Sequence, residues 1–147
     1  MTFQDYLAKT ALIAETEKGI LDRLSSKENL SDIEIRAAKN SLQVLIENSI
    51  GKAKKILKYY CCPMTPKSGR DAFTFMYEIG LIEDELYSSL LAAVGFRNAL
   101  IHDYMNFDDT VLFKLLKEKR YEGLYTFLIS DVAYHDGLIK RIENFEL

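Results

Sequence analysis

Apolar residues recur along this chain at spacings of three and four, which is the pattern of helices that bury one face. The spacing predicts helices over residues 2–26, 31–60, 71–79, 82–104 and 121–144, with one more after residue 108. No segment has the two-residue alternation of a half-buried strand, and no glycine-rich phosphate loop occurs. We therefore predict an all-α fold, an up-and-down helical bundle of about five to six helices.

Local signals mark several of these helix ends. Ser31 begins a capping box, a residue pattern in which side chains satisfy the first backbone N–H groups of a helix. Gly80 closes the short third helix, and Asp108 is the predicted N-cap of the helix that follows the fourth. Residues 61–70, with two prolines, form the one clear irregular segment, which is too short to link two domains.

The helix predicted over 82–104 carries a charged residue on its apolar seam. Its seam positions are Leu86, Leu90, Ala93, Arg97, Leu100 and Tyr104. Burying an unpaired guanidinium is costly, so Arg97 requires a partner, a wet cleft or an anionic ligand. Glu47 and Asn48 of the second helix either pair with Arg97 across the bundle or face water.

His102 follows Arg97 by five residues, and Tyr104 comes two residues later. A fixed cation and a proton shuttle are what RNA phosphodiester cleavage requires in the absence of a metal. At about 100° per residue, Arg97 and His102 lie roughly 140° apart on a straight helix. Either the helix ends near His102, or a second copy of the chain completes the site. Asn98 lies only about 40° from His102, which makes it the better candidate to orient the imidazole.

Structural roles compete with this interpretation. An arginine on a seam is commonly a snorkelling side chain that is paired with a carboxylate. A histidine near a helix end is commonly a cap or a surface residue, and the spacing Arg-x4-His is not specific by itself. The other histidine, His135, has no complementary group nearby in sequence and is interpreted as structural or surface-exposed.

The motif Arg-Asn-x-x-x-His-x-Tyr at 97–104, preceded by Gly-Phe and followed by a short acidic turn, resembles the signature of HepT toxins in the HEPN superfamily. The segments 37–53 and 71–81 stand before it in the order typical of that family. The resemblance covers about Tyr6 to Phe127. It implies a bundle of the HEPN type and a protein encoded beside MntA, a minimal nucleotidyltransferase antitoxin.

The resemblance also implies a function, the toxin of a type VII toxin–antitoxin system. The expected activity is that of a metal-independent endoribonuclease. Its catalytic residues would be Arg97, His102 and Asn98, at the cleft of a homodimer. The antitoxin would neutralise the toxin by AMPylation of Tyr104. The expected partners are therefore an RNA substrate, the nucleotidyltransferase and a second copy of the chain, and no cofactor is implied.

Composition bounds these expectations. The 147 residues, 48% hydrophobic and 28% charged, predict one globular domain over 1–147. The chain has neither an apolar run long enough for a membrane span nor a signal-peptide pattern, so we predict a cytoplasmic protein with no membrane contact. The net charge of −3 disfavours a broad nucleic-acid surface. Two basic clusters, residues 52–58 and 114–120, are interpreted as solvated faces first and as RNA contacts second.

Metal chemistry finds no support in the sequence. Cys61 and Cys62 are the only cysteines, and adjacent thiols bridge only with strain, so we interpret them as two reduced thiols. A four-helix metal protein requires Glu-x-x-His pairs, and neither histidine has a glutamate three residues before it. No metal site is predicted.

A non-catalytic role is the alternative function. In that case the chain is a helical module that binds and completes a minimal nucleotidyltransferase, presenting Tyr104 to it. The two hypotheses differ in whether substitution of Arg97 and His102 abolishes RNA cleavage or only partner binding.

Overall fold

The computed structural model describes the backbone of residues 1–147 and every side chain except that of Tyr104. The described chain contains helices and no strands. Seven α-helices and one 3₁₀-helix follow one another: α1 Phe3–Ser25, α2 Asp32–Tyr59, α3 Gly69–Ile79, α4 Asp84–His102, the 3₁₀-helix Tyr104–Asn106, α5 Asp109–Lys117, α6 Glu122–Ile129 and α7 Asp136–Glu143. The all-α prediction is confirmed, with more helices than the five to six expected.

The helix α2 is the centre of the bundle. It packs against α1, α3, α4 and α6. Its buried side chains include Leu42, Leu45, Ile46, Ile56 and Leu57, each no more than 1% exposed. A 28-residue helix is long enough to present apolar side chains to several neighbours, which is why its apolar face is wide.

The predicted helix boundaries hold where a cap determines them. Ser31 accepts a hydrogen bond from the Glu34 backbone N–H, and the Glu34 side chain accepts one from Ser31 in return. Gly80 ends α3 with φ of 98°, a left-handed conformation that favours glycine. Asp108 caps α5 by accepting from the Thr110 backbone N–H at 3.0 Å. Hydrogen bonds from Thr110 hold the pKa of Asp108 below its usual value.

The prediction of one last helix over 121–144 is wrong, because this region forms two helices, α6 and α7. The ammonium of Lys52 on α2 donates hydrogen bonds to the backbone carbonyls of Phe127 at 2.7 Å and Ser130 at 2.8 Å. A second helix begins at His135, whose Nδ1 accepts from the Leu138 backbone N–H at 3.2 Å. His135 is thus an N-cap, which confirms its structural interpretation.

Lys52 is not part of a solvated face, contrary to the interpretation of residues 52–58. Its side chain is 1% exposed. Burial lowers its pKa to about 8, and the charge of Asp131 opposes that shift. The sequence signal for this role is weak, since a lysine among other lysines on a helix gives no sign of which one turns inward.

Candidate functional site at the end of α4

Arg97 reaches from α4 to α2 at the edge of the core. Val94 and Leu100, on the same helix, are buried and anchor this part of α4. The guanidinium Nη1 lies 3.2 Å from the Glu47 carboxylate, and the two side chains are 22% and 47% exposed. Of the two predicted partners, Glu47 is confirmed. The Asn48 side chain instead donates to the backbone carbonyl of Val44 at 2.8 Å.

The ion pair uses only part of the guanidinium. The Nε atom of Arg97 is buried and has no hydrogen-bond partner among the described residues. A pair whose carboxylate is half exposed is worth about 0–1 kcal/mol, because water screens it and both side chains lose freedom. An anion that offered better geometry would therefore compete with Glu47 for Arg97 at small cost.

The helix α4 ends at His102, which is the first of the two alternatives left open by the five-residue spacing of Arg97 and His102. The backbone N–H of Asp103 still bonds to the Ala99 carbonyl at 3.0 Å, and the chain then turns into the 3₁₀-helix. His102 and Asn98 are both exposed. Among the described side chains, no hydrogen bond joins them, so the structure does not show Asn98 orienting the imidazole.

The turn after His102 is attached to the bundle by Phe107. The Phe107 ring packs edge-on against Phe96 of α4, with centroids 5.3 Å apart. The Lys39 ammonium lies over the same ring at 5.1 Å and also pairs with Asp109 at 2.9 Å. This attachment places the 3₁₀-helix beside the end of α4. Tyr104 belongs to that 3₁₀-helix, but its side chain lies outside the described residues.

A groove of about 930 Å³ opens beside the motif. Its floor on α4 consists of small residues, Ala92, Gly95 and Ala99, and its end is formed by Asp103 and Asn106. The wall contributed by α5 includes Val111, Lys114 and Leu115. Large apolar side chains are exposed at and after the end of α4: Ile101, Met105, Val111 and Phe113 are 49%, 89%, 50% and 40% exposed, and Val111 also lines the groove. Exposed apolar surface of this kind is typical of protein contact surfaces.

A second cavity, of about 560 Å³, shares the lining residues Ser89 and Arg120 with the groove. It is lined by Lys52, Leu86, Arg120, Phe127 and Tyr134, among others. Burial raises the pKa of Tyr134 to about 12. Among the described side chains, no three histidine, cysteine, aspartate or glutamate groups cluster closely enough to hold a metal ion. The part of the chain that the structure describes includes no helix suited to spanning a membrane.

Comparison with known proteins assigns the family. Residues 7–130 match the family described as HepT-like ribonucleases. The chain therefore belongs to the HepT-like ribonuclease family, as the motif at 97–104 indicated. No curated protein matches the chain.

Solved structures of toxin–antitoxin complexes share the fold. One is a tri-AMPylated Shewanella oneidensis HEPN toxin in complex with an MNT antitoxin, with 21% identity over 87% of this chain and 96% of that one, and a TM-score of 0.76. Another is a toxin–antitoxin with AMP-PNP, with 20% identity over 87% and 97% of the two chains and a TM-score of 0.74. A mutant of the MntA–HpeT complex has 20% identity over 84% and 95%, with a TM-score of 0.72. This chain thus has the fold of HEPN toxins.

Proposed function

We propose that this protein is the toxin of a toxin–antitoxin pair and cleaves RNA as a metal-independent endoribonuclease. The observation that carries the proposal is the end of α4. There Arg97 has an unpaired Nε atom, and His102 is exposed five residues later. Membership of the HepT-like ribonuclease family supports the class of reaction. Residue roles follow from the chemistry of the groups.

Cleavage requires three functions at one phosphate. A base removes the proton from the 2′-hydroxyl, whose oxygen then forms a bond to phosphorus. The bond from phosphorus to the 5′-oxygen breaks, and an acid protonates that oxygen as it leaves. The products are a 2′,3′-cyclic phosphate and a 5′-hydroxyl. His102 is the proposed acid or base, Arg97 stabilises the charge on the phosphorane, and Asn98 holds a non-bridging oxygen.

A homodimer resolves the need for two proton-transfer groups. One His102 cannot act as base and acid at the same phosphate in the same step, but two copies supply two. The groove beside the motif and the exposed Ile101 and Met105 support a protein contact there. Two Arg97 side chains in one cleft also supply the local positive charge that a chain of net charge −3 lacks overall.

Tyr104 is the proposed site of control. A toxin with this fold is described as AMPylated and bound to an MNT antitoxin. An AMP group on Tyr104 adds a phosphate charge and bulk seven residues from Arg97, which cancels the local field and blocks the cleft. We propose an MntA-type nucleotidyltransferase as the partner that transfers it.

The non-catalytic helical module remains the second candidate. The ion pair between Arg97 and Glu47 favours it, because it gives Arg97 a structural partner within one chain. In that case Tyr104 is the working residue, and Arg97 serves the packing of α4 on α2.

An RNA cleavage assay in EDTA tests the proposal. The purified chain, checked by intact mass for AMP adducts, is incubated with total tRNA and with a messenger RNA. We expect cleavage by the parent with 2′,3′-cyclic phosphate ends. Removing the proton-transfer group in His102→Ala should lower the rate by about 10²–10⁴-fold.

The matched control is His135→Ala, which removes the other histidine from a helix cap and leaves the motif intact. It should cleave at the parent rate after correction for folded protein. A 3′-hydroxyl product that depends on Mg²⁺ would contradict the mechanism. No cleavage by unmodified, folded, dimeric parent would favour the helical module.

A further inference from the structure

The C-terminal half of α2 and the loop that follows contain the most basic segment of the chain. Residues 48–70 include five lysines and one arginine, and no aspartate or glutamate. Lys52 is buried, as described above, whereas Lys54, Lys55 and Lys58 are exposed. Lys55 lies over the ring of Tyr6 at 5.2 Å. For Lys54 and Lys58, no carboxylate partner lies within ion-pair distance among the described side chains.

Two acidic side chains in the first turns of adjoining helices already accept hydrogen bonds from backbone N–H groups. Asp5 accepts from the Thr2 backbone N–H at 3.1 Å, and Asp71 accepts from the Lys67 backbone N–H at 3.2 Å. The basic segment thus forms a local positive surface on a chain whose net charge is −3.

This surface is aligned with the candidate site. At 100° per residue, Lys54 and Lys58 lie within about 20° of Glu47 around the axis of α2. The rise of 1.5 Å per residue puts them about 10 and 16 Å along the helix from Glu47. Glu47 is the residue that contacts Arg97. These three exposed residues form a stripe along α2 from the Arg97 contact to the two lysines, with the Tyr6 hydroxyl over Gly51 between them.

An exposed aromatic ring follows Lys58 directly, about 100° from it around the axis of α2 and so beside the end of the stripe. Tyr59 is 54% exposed and stacks on Phe3 with centroids 4.0 Å apart and an interplanar angle of 10°. Tyr60 is 4.9 Å from Tyr59 and 6.4 Å from Phe3. In the triangle of the three ring centroids, the angle at Tyr59 is close to a right angle, so Tyr60 lies beside the stacked pair. Since Phe3 covers one face of Tyr59 and the residue is still 54% exposed, we take the opposite face as the open one.

We propose that this stripe is a binding track for single-stranded RNA. Lys54 and Lys58 contact the phosphates, and one base stacks on the open face of Tyr59. The inference rests on the proposed function, since it assigns a surface to the substrate of that same site. Lysines spaced along a line with an exposed aromatic ring are the combination by which proteins hold single strands. An acidic protein surface would use the lysines but has no need of an open aromatic face.

The test is binding of a fluorescent 2′-O-methyl RNA, about 12 nucleotides long, measured by anisotropy as a function of salt. The 2′-O-methyl group prevents attack by the 2′-oxygen, so binding is measured without cleavage. For Lys54→Gln combined with Lys58→Gln, we expect weaker binding and a salt slope smaller in magnitude by about 1.4, about 0.7 for each lost phosphate contact. Tyr59→Ala should weaken binding by roughly 5- to 100-fold with the slope unchanged, and Tyr59→Phe should restore it.

The charge control is Lys117→Gln combined with Lys119→Gln. It removes the same charge from exposed positions at and beyond the end of α5, and it should bind as the parent does. Equal losses from the two double variants would show that only net charge matters and would overturn the track. Normal RNA binding by the Lys54 and Lys58 variant, with loss of its complex with a nucleotidyltransferase, would assign the surface to a protein partner and overturn it as well.

The outcomes separate the two proposals. A parent that binds this RNA through the stripe but cleaves no unmodified RNA retains the track and loses the ribonuclease mechanism. A parent that cleaves, while the Lys54 and Lys58 double variant and Tyr59→Ala both bind RNA as tightly as the parent, loses the track alone.

Discussion

The C-terminal ends of α6 and α4 each lie near a cationic side chain from the apolar seam of a helix, and the two cations are used differently. At α6, the Lys52 ammonium donates to carbonyls of Phe127 and Ser130 and is 1% exposed. At α4, Arg97 has one partly exposed carboxylate partner and an Nε atom without a partner among the described residues. A cation whose donors are all engaged is a structural element, whereas a partly exposed cation with an unpaired donor is equipped to bind an anion.

Burial separates the two cases energetically. Hydrogen bonds to charged groups contribute about 1.5–3 kcal/mol each, which offsets the cost of moving the Lys52 charge out of water. Arg97 is 22% exposed, so it retains contact with solvent. The comparison predicts that Arg97 affects activity and that Lys52 affects stability.

Between the two cations, the largest expected effect is that of Arg97→Ala on RNA cleavage. Loss of one group that stabilises transition-state charge lowers rates by about 10²–10³-fold, as removal of an oxyanion donor does. The change in the free energy of unfolding should stay within about 1 kcal/mol, because the lost ion pair is partly exposed. Initial rates in EDTA and urea unfolding measure the two quantities. If Arg97→Ala unfolds readily but cleaves at the parent rate per folded molecule, then Arg97 acts in stability and not in activity.

Next in size is the effect of Lys52→Met on stability. The side chain keeps its length but leaves carbonyls at the end of α6 without donors, so we expect a loss of about 1–3 kcal/mol in the free energy of unfolding at pH 7. Urea unfolding measures it, and cleavage per folded molecule should not change. Lys54→Met is the matched control, since its exposed side chain should leave stability within about 0.5 kcal/mol of the parent.

The pH dependence of the same variant sharpens this result. The folded pKa of Lys52 is about 8, below the ordinary value of 10.5, so between these values the unfolded chain binds more protons. The free energy of unfolding of the parent should therefore rise with pH above 8, by about 1–2 kcal/mol up to pH 9.5. Lys52→Met lacks this gain, so the gap between the two proteins should widen. Parallel pH profiles would mean that the carbonyl contacts, which include Leu128 at 3.3 Å besides Phe127 and Ser130, keep Lys52 charged throughout.

The smallest expected effect is that of Glu47→Gln. The substitution removes the charge that Arg97 faces and keeps the shape, so stability should fall by less than about 1 kcal/mol. Cleavage should stay at the parent rate or rise about two- to threefold, because a guanidinium without a competing carboxylate is freer to meet a phosphate. Rate and unfolding measurements on one preparation test both. A tenfold loss of rate would show instead that Glu47 positions Arg97 for the reaction.

The fold was largely predictable because local rules determine most of its helix ends. The Ser31 capping box, the left-handed Gly80 and the Asp108 cap each act within a few residues. The division of the last predicted helix, 121–144, into α6 and α7 was not predictable. The apolar stripe of the predicted helix resumes at Leu138 in helical register with Phe127, but Lys52, more than 70 residues earlier, binds the carbonyls of Phe127 and Ser130.

For the candidate site, the residue types were predictable and their contacts only in part. The cost of an unpaired guanidinium required a partner for Arg97, which left Glu47 and Asn48 as possibilities. Whether Glu47 or Asn48 faces Arg97 depends on how α2 is rotated relative to α4, because adjacent residues lie about 100° apart around a helix. The expected contact of Asn98 with His102 is absent among the described side chains, because both are exposed at a helix end where no neighbour orients them.

The sequence by itself determined the helical class, the main caps and the motif that places the chain among HepT-like ribonucleases. These depend on spacing and on short-range hydrogen bonds, which act within one helix or turn. Only the tertiary structure decided which lysine of residues 52–58 is buried, which carboxylate meets Arg97 and where the groove beside the motif opens. These depend on how helices distant in sequence rotate and cross, and packing of the whole core sets that geometry.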